Sequence, residues 1–209
     1  MDWLLELLPY WFVGLFAWLI YSKRRRWQRH RFIDEYAFPT AVRESLQTQY
    51  PQLNDQQLMS VLDGLREYFH LCLDHRGKML SMPSKAVDQA WHAFILQTQA
   101  YEGFCRQAFG RFLHHTPAEG MRDAAGVREG IKRTWKASCL RRRINRDVPT
   151  SLPLLFALDA ELSIDDGFHY GIGLSGGNVS VMLEFDATEI GCVGASGGGD
   201  GDGGGCGGD

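Results

Sequence analysis

Lysine and arginine are absent from residues 151–209, although the chain has 22 of them among its 209 residues. Residues 151–209 hold ten acids and a charge of −10, whereas residues 1–150 hold 15 acids and a net charge of +7. The overall charge of −3 is therefore the sum of two opposed parts. Such asymmetry predicts a basic part that faces an anionic partner and an acidic tail that stays in solvent.

Several motifs of common enzyme classes are also missing. The five cysteines contain no CxxC pair, and an odd number cannot all pair within one chain, so the sequence favours thiols in a reducing compartment. The glycines form neither a GxGxxG motif nor a phosphate-binding loop between a strand and a helix. No nucleophile with an adjacent base stands out. These absences favour a protein that is not an enzyme.

Alternating strand patterns are absent except for one short stretch in the tail, and helical spacing dominates residues 32–170. Asn54 and Gln57 form the pattern of a capping box, and apolar residues follow at steps of three and four. A second helical stretch runs from Ser84 to about Leu113, with a bend near Tyr101 or Gly103. Further helices are predicted near residues 40–50, 122–143 and 152–162. The sequence therefore predicts an all-α fold, a small helical bundle.

One long apolar run does occur, in residues 3–21. It holds a single acid, Glu6, and no basic side chain. A helix of 19 residues spans about 28 Å, which is close to the hydrocarbon thickness of a bilayer. Tryptophan and tyrosine near its ends suit the membrane interfaces. We therefore predict a single transmembrane helix in residues 1–22.

A basic juxtamembrane segment follows directly, in residues 23–31. Excess basic charge stays on the cytoplasmic side, so we expect the N-terminus outside and the bulk of the chain in the cytoplasm, at the inner membrane if the protein is bacterial. A cleaved signal peptide is the alternative, but the basic cluster is on the wrong side for one. The expected partner is therefore an anionic bilayer surface rather than nucleic acid. The membrane-facing residues are Lys23, Arg24, Arg25, Arg26, Arg29 and Arg31.

A group of histidine, cysteine and carboxylate residues is the candidate site. Asp88 and His92 are four residues apart and share one face of a helix, where the carboxylate fixes the imidazole tautomer. If the chain bends near Gly103, Cys105 or one of the later histidines approaches His92, and such a set suits a zinc-like divalent metal. The alternative is a core in which Asp88 satisfies His92 and Cys105 packs as a small apolar side chain. The candidate ligands are Asp88, His92, Cys105, His114 and His115.

The tail, residues 171–209, is rich in glycine and acids. Val179, Val181 and Leu183 alternate with polar residues and are consistent with one short strand or hairpin. Beyond Gly194 the glycine content predicts disorder, because ordering so many glycines costs too much entropy.

A spaced motif in residues 53–117 resembles a known family. Its residues are Asp88, Trp91, His92, Tyr101, Cys105, Phe109, Gly110, Phe112 and His115. This motif is similar to the signature of the glycine-rich domain-containing protein family of plants and its uncharacterised bacterial relatives. The resemblance implies a helical domain followed by a glycine-rich tail, and it implies no reaction. The chain departs from the plant form by its apolar N-terminal run.

These observations combine into one hypothesis and one alternative. The hypothesis is a single-pass membrane protein whose cytoplasmic helical domain, residues 32–170, serves as an interaction or scaffold domain for a protein partner. The alternative is a metal-binding or metal-dependent domain that uses the candidate ligands around Asp88 and His92.

Overall fold

The computed structural model describes the backbone of residues 3–115, 124–175 and 178–184, and the side chains of residues 11–115 and 126–172. Seven helices and one hairpin make up these described parts. The helices are α1 Trp3–Glu35, α2 Thr40–Gln49, α3 Asp55–Asp74, α4 Lys85–Leu96, α5 Thr98–Ala108, α6 Ala124–Arg142 and α7 Leu154–Glu161. The strands are β1 His169–Ser175 and β2 Asn178–Glu184.

The fold is mostly helical, as predicted, but it is not all-α. β1 and β2 form a two-stranded antiparallel sheet in which His169 pairs with Glu184 and Ser175 with Asn178. The alternating stretch of the tail is thus one strand of a hairpin. The hairpin is tied to the helices through Tyr170, whose ring lies 4.8 Å from that of Phe156 on α7. The glycine-rich region beyond residue 184 lies outside the described residues.

The prediction of a transmembrane helix is wrong. The apolar run and the basic run form one helix of 33 residues, α1, and no helix in the described parts is long and apolar enough to cross a bilayer. The run falls short because it is interrupted by Glu6 and Pro9, because tryptophan and tyrosine carry polar ring atoms, and because it continues at once into Lys23. The single-pass membrane assignment, its orientation and the localisation derived from it are therefore withdrawn.

The basic residues of α1 make contacts within the protein. Arg26 forms an ion pair with Asp74 on α3 at 2.8 Å, and Arg31 pairs with Glu35 on its own helix at 2.7 Å. The second half of α1 thus packs on the bundle, where Ile33 is fully buried.

α3 is the central helix and contacts α1, α2, α4, α6 and α7. It begins with the predicted capping box, since Gln57 N–H donates to the Asn54 side chain and the Gln57 side chain accepts from the Asn54 N–H. Beside it lies an aromatic cluster centred on Phe69, which is 4.9 Å from Phe104 between ring centroids. Further members of this cluster are Tyr36, Phe38, Trp91, Phe94 and Phe109. Burial of these side chains supplies most of the stability, because short helices are marginal alone.

The start of α4 is held by Asp159 of α7. Its buried carboxylate accepts hydrogen bonds from the Ser84 hydroxyl at 2.6 Å and from the backbone N–H groups of Lys85, Ala86 and Phe168. A carboxylate at a helix N-terminus satisfies donors that have no partner within the helix. This contact fixes the helix that carries Asp88 and His92.

Candidate metal centre

Asp88 and His92 lie on α4 as their spacing predicts. Asp88 is in the first turn, and its Oδ2 is 3.7 Å from Nδ1 of His92 one turn later. Both side chains are partly exposed, 30% for Asp88 and 39% for His92. The pair therefore has one side open to solvent.

His115 reaches this pair from the segment that follows α5. Gly110 ends the helix with a φ of +70°, a conformation that glycine adopts without a Cβ clash, and its N–H donates to the Cys105 carbonyl. The chain then turns back over α4. His115 Nε2 lies 2.8 Å from Asp88 Oδ1, and the His115 side chain is only 7% exposed.

Two aromatic residues hold this segment in place. The Trp91 Nε1–H donates to the Tyr101 hydroxyl at 3.0 Å, and that hydroxyl donates to the Leu113 carbonyl at 2.5 Å. Burial raises the pKa of Tyr101, so the hydroxyl keeps the proton that it donates. The His115 ring packs edge-on against Trp91, with centroids 4.3 Å apart. The Leu113 carbonyl is thus fixed to the core, and His115, two residues later, is oriented by this anchor and by Trp91.

The three side chains form a set of ligand atoms. One carboxylate oxygen of Asp88 and one ring nitrogen each of His92 and His115 lie within 4.8 Å of one another. Ligands bonded to one zinc ion at 2.0–2.2 Å in tetrahedral geometry are about 3.4 Å apart, so an ion fits after shifts of about an ångström. Two imidazoles and one carboxylate suit zinc and also iron(II). The open side leaves room for a water ligand.

The other two predicted ligands lie elsewhere. Cys105 is buried on the core side of α5, where burial raises the pKa of its thiol and the sulfur contacts Tyr101 and the Leu113 backbone. His114 is exposed and packs against Phe112 at 4.9 Å between centroids. Neither residue belongs to the set of converging ligand atoms. The structure thus brings together three of the five candidates.

Sequence reasoning missed a second histidine cluster. His30 on α1 and His70 on α3 are in direct contact, with a ring nitrogen of each 2.8 Å apart. The two residues are 40 positions apart in the sequence, so no local spacing predicts their contact. His70 also lies off the apolar face of α3, so the amphipathic pattern gave no sign of its burial.

Comparison with known proteins corrects the resemblance and assigns a family. No curated protein and no solved structure matches the chain. The glycine-rich domain-containing family is not supported, because the family model that matches is a different one and its match stops before most of the glycine-rich tail. Membership of the matching family implies no reaction. Its match covers residues 28–184, three quarters of the sequence, and the chain belongs to the UCP032817-like family.

Proposed function

We propose that the protein binds one divalent transition-metal ion of the zinc type through Asp88, His92 and His115. The observation that carries the proposal is the convergence of their three ligand atoms within 4.8 Å. His115 comes from a separate segment, so the set is not a by-product of helical spacing. Two nitrogen ligands and one oxygen ligand make a set that binds such ions in other proteins.

The arrangement favours a site with an open coordination position. Structural zinc sites are closed by four protein ligands, whereas sites with three protein ligands keep a position for water or a small molecule. Asp88 and His92 are both partly exposed, so the open coordination position would face solvent. A bound ion would carry a water molecule there and lower the pKa of that water.

Metal titration of the full-length chain tests this proposal. The chain is freed of metal with a chelator and titrated with Zn²⁺ in a calorimeter, and bound metal is counted by elemental analysis. We expect one ion per chain. His115→Ala should weaken binding by more than the roughly 10–100-fold that loss of an outer-shell partner costs, because it removes a ligand.

His114→Ala is the matched control, since His114 is adjacent in sequence but lies outside the set of converging ligand atoms. It should bind zinc as the wild type does. Equal affinity of the wild type and His115→Ala, with both chains folded by circular dichroism, would reject the site. Parallel titrations with Fe²⁺ and Mn²⁺ give the preferred ion.

A helical interaction or scaffold domain is the second candidate function. The observation that favours it is a row of exposed large apolar side chains on α1, including Trp11 at 74% and Phe16 at 66% exposure. Contiguous exposed apolar surface is typical of sites that contact other molecules. The protein partner stays a prediction. A chain that folds but takes up no metal would leave this role as the remaining candidate.

A further inference from the structure

A pair of histidines joins α1 to α3 in the second half of α1. His30 Nδ1 and His70 Nδ1 are 2.8 Å apart, and the two rings are stacked with centroids at 5.0 Å and an interplanar angle of 15°. The His70 side chain is 2% exposed and that of His30 is 23% exposed. The contact is therefore part of the packed interface between the two helices.

The outer nitrogen of each ring faces a carboxylate. His30 Nε2 is 2.9 Å from Asp74 Oδ1, and His70 Nε2 is 2.6 Å from Asp34 Oδ1. An ionised carboxylate only accepts hydrogen bonds. His70 Nε2 must therefore carry a hydrogen and donate it to Asp34, while His30 Nε2 lies within ion-pair distance of Asp74. The four groups form a chain in the order Asp74, His30, His70, Asp34.

The inner contact then requires one more proton. With no hydrogen between the two Nδ1 atoms, two lone pairs would face each other at 2.8 Å. With a hydrogen on each, two N–H groups would point at each other. A single hydrogen makes a normal N–H···N bond at this distance. The pair thus holds one shared proton between the two Nδ1 atoms, next to two carboxylates.

His70 is the neutral member of the pair. Burial lowers the pKa of His70, and the nearby Arg141 guanidinium lowers it further, against the opposing effect of Asp34. His30 Nε2 lies 2.9 Å from the Asp74 carboxylate, which also accepts a hydrogen bond from Arg26 at 2.8 Å.

The charges around the pair come from three helices. Those in the clefts beside the two rings are Arg26 and Asp34 on α1, Glu67 and Asp74 on α3, and Arg141 and Arg142 on α6. Most of them are already paired. Arg26 binds Asp74, Asp34 binds His70, and Arg142 binds Glu67 at 2.7 Å from its Nε. Arg31 with Glu35 and Arg66 with Asp63 form pairs at the outer edges of the clefts.

A metal ion does not explain the contact. Two imidazole nitrogens bonded to one zinc ion at 2.0–2.1 Å lie about 3.3 Å apart in tetrahedral geometry, which is longer than the separation seen here. The near-parallel stacking also keeps the two nitrogens from aiming at one common point. The distance is that of a hydrogen bond.

We propose that His30 and His70 form a one-proton latch that holds α1 against α3 near neutral pH and opens when a second proton binds in mild acid. The second proton charges His70 and puts a hydrogen on both Nδ1 atoms. The hydrogen bond between the helices is then lost, because two N–H groups point at each other.

The direction of the pH effect follows from the lowered pKa of His70. In the unfolded chain this histidine takes up its proton near its ordinary value of 6.5, whereas in the folded chain it does so only at lower pH. Below 6.5 the unfolded state therefore binds more protons than the folded state, and stability rises with pH. The stabilisation is complete above 6.5 and is lost as the pH falls through the pKa of folded His70.

Nuclear magnetic resonance on the full-length, ¹⁵N-labelled chain with chelator present tests the shared proton directly. At pH 7 we expect a ¹⁵N–¹⁵N coupling across the hydrogen bond between Nδ1 of His30 and Nδ1 of His70. At pH 5 the coupling should vanish. A coupling that is absent at pH 7, or one that persists unchanged at pH 5, would overturn the latch. A metal site at this pair would also overturn the latch. It would show as shifts of both histidine ring signals when one equivalent of Zn²⁺ is added to the His115→Ala variant without chelator.

Hydrogen exchange tests the consequence for α1. The protection of amides in residues 25–34 should fall between pH 7 and pH 5, because the lowered pKa of His70 makes the folded state less stable as the pH falls. His70→Gln should remove this dependence, because its amide still donates toward Asp34 but does not titrate. His114→Gln, a change at an exposed histidine, should leave it intact. Equal pH dependence in the wild type and His70→Gln would overturn the proposal.

Discussion

Tyr101 shows how a single hydroxyl can position a ligand that it does not touch. It accepts from Trp91 and donates to the carbonyl of Leu113, two residues before His115. The ring itself is 1% exposed and packs against Phe94 at 5.2 Å. The hydroxyl is therefore the link between the core and the segment that carries His115.

We predict that Tyr101→Phe weakens zinc binding by about 10–100-fold, the effect of losing an outer-shell partner, and lowers stability by about 1–3 kcal/mol. The ring still fills its place, so the loss reflects two missing hydrogen bonds. Calorimetric titration gives the first quantity and urea unfolding the second. Tyr36→Phe removes a hydroxyl from the same aromatic cluster and should bind zinc normally. Unchanged affinity in Tyr101→Phe would show that His115 is positioned by other contacts.

At the level of single residues, the sequence predicted the Asp88–His92 pair but not its third member. Local helix geometry brings residues four apart together, and that part needed no tertiary information. The choice between His114 and His115 depends on how the chain leaves α5. The sequence suggested a bend near Gly103, whereas α5 continues through Gly103 and the left-handed residue is Gly110. Cys105 consequently stays on the core side of its helix.

At the level of secondary-structure elements, a close approach of three helices depends on Gly64 of α3. A Cβ at this position would lie 2.6 Å from Leu158 Cδ1 on α7 and 2.8 Å from Val87 Cγ2 on α4. Both neighbouring side chains are buried, and close packing of protein interiors leaves such side chains little room to move. Because Gly64 has no side chain, α3 can pack closely against α7 and α4. The helix α4 carries Asp88 and His92 of the metal centre.

We predict that Gly64→Ala destabilises the fold by up to about 2 kcal/mol, since overpacking costs about 1–3 kcal/mol and the gain in helix propensity offsets about 1 kcal/mol of it. Gly103→Ala is the control, because a Cβ there meets nothing within 4 Å and α5 should gain stability from it. Urea unfolding midpoints of the two variants should therefore shift in opposite directions. A Gly64→Ala variant as stable as the wild type would mean that the three helices separate easily.

Secondary-structure elements were predicted correctly where the sequence carried one clear periodicity. They were predicted wrongly where two sequence features pointed to different structures. The amphipathic pattern of α3 and its capping box are correct as read. The sequence offered a strand or hairpin only around Val179–Leu183, and β1 was not assigned, although Tyr170, Ile172 and Leu174 alternate with glycines in the period of a strand. β1 is stabilised by its pairing with β2 and by the contact of Tyr170 with α7, neither of which can be read from composition. In α1 the length of the apolar run led to the wrong prediction of a transmembrane helix. Aromatic residues and the charged residues that follow make this helix less apolar than its length suggests.

At the level of the whole molecule, buried thiols on distant helices report on how cooperatively the chain unfolds. Cys105 on α5 and Cys139 on α6 are each 1% exposed. Burial raises the pKa of Cys139 from 9.0 to about 11, and burial also raises that of Cys105. The thiolate is the reactive form, so both burial and protonation protect these side chains in the folded state.

We predict that native Cys139 reacts with iodoacetamide at pH 8 at least about 100-fold more slowly than an ordinary thiol, because two units of pKa reduce the thiolate about 100-fold before access is counted. In urea, Cys105 and Cys139 should become labelled together at the unfolding midpoint, as two-state behaviour requires. Mass spectrometry of peptides measures both sites in one sample. A cysteine introduced at the exposed position of Val148 is the control and should be labelled at once. Labelling of Cys139 at urea concentrations that leave Cys105 protected would show that α6, which contacts α3 and α7 beside the histidine latch, opens before the rest of the bundle.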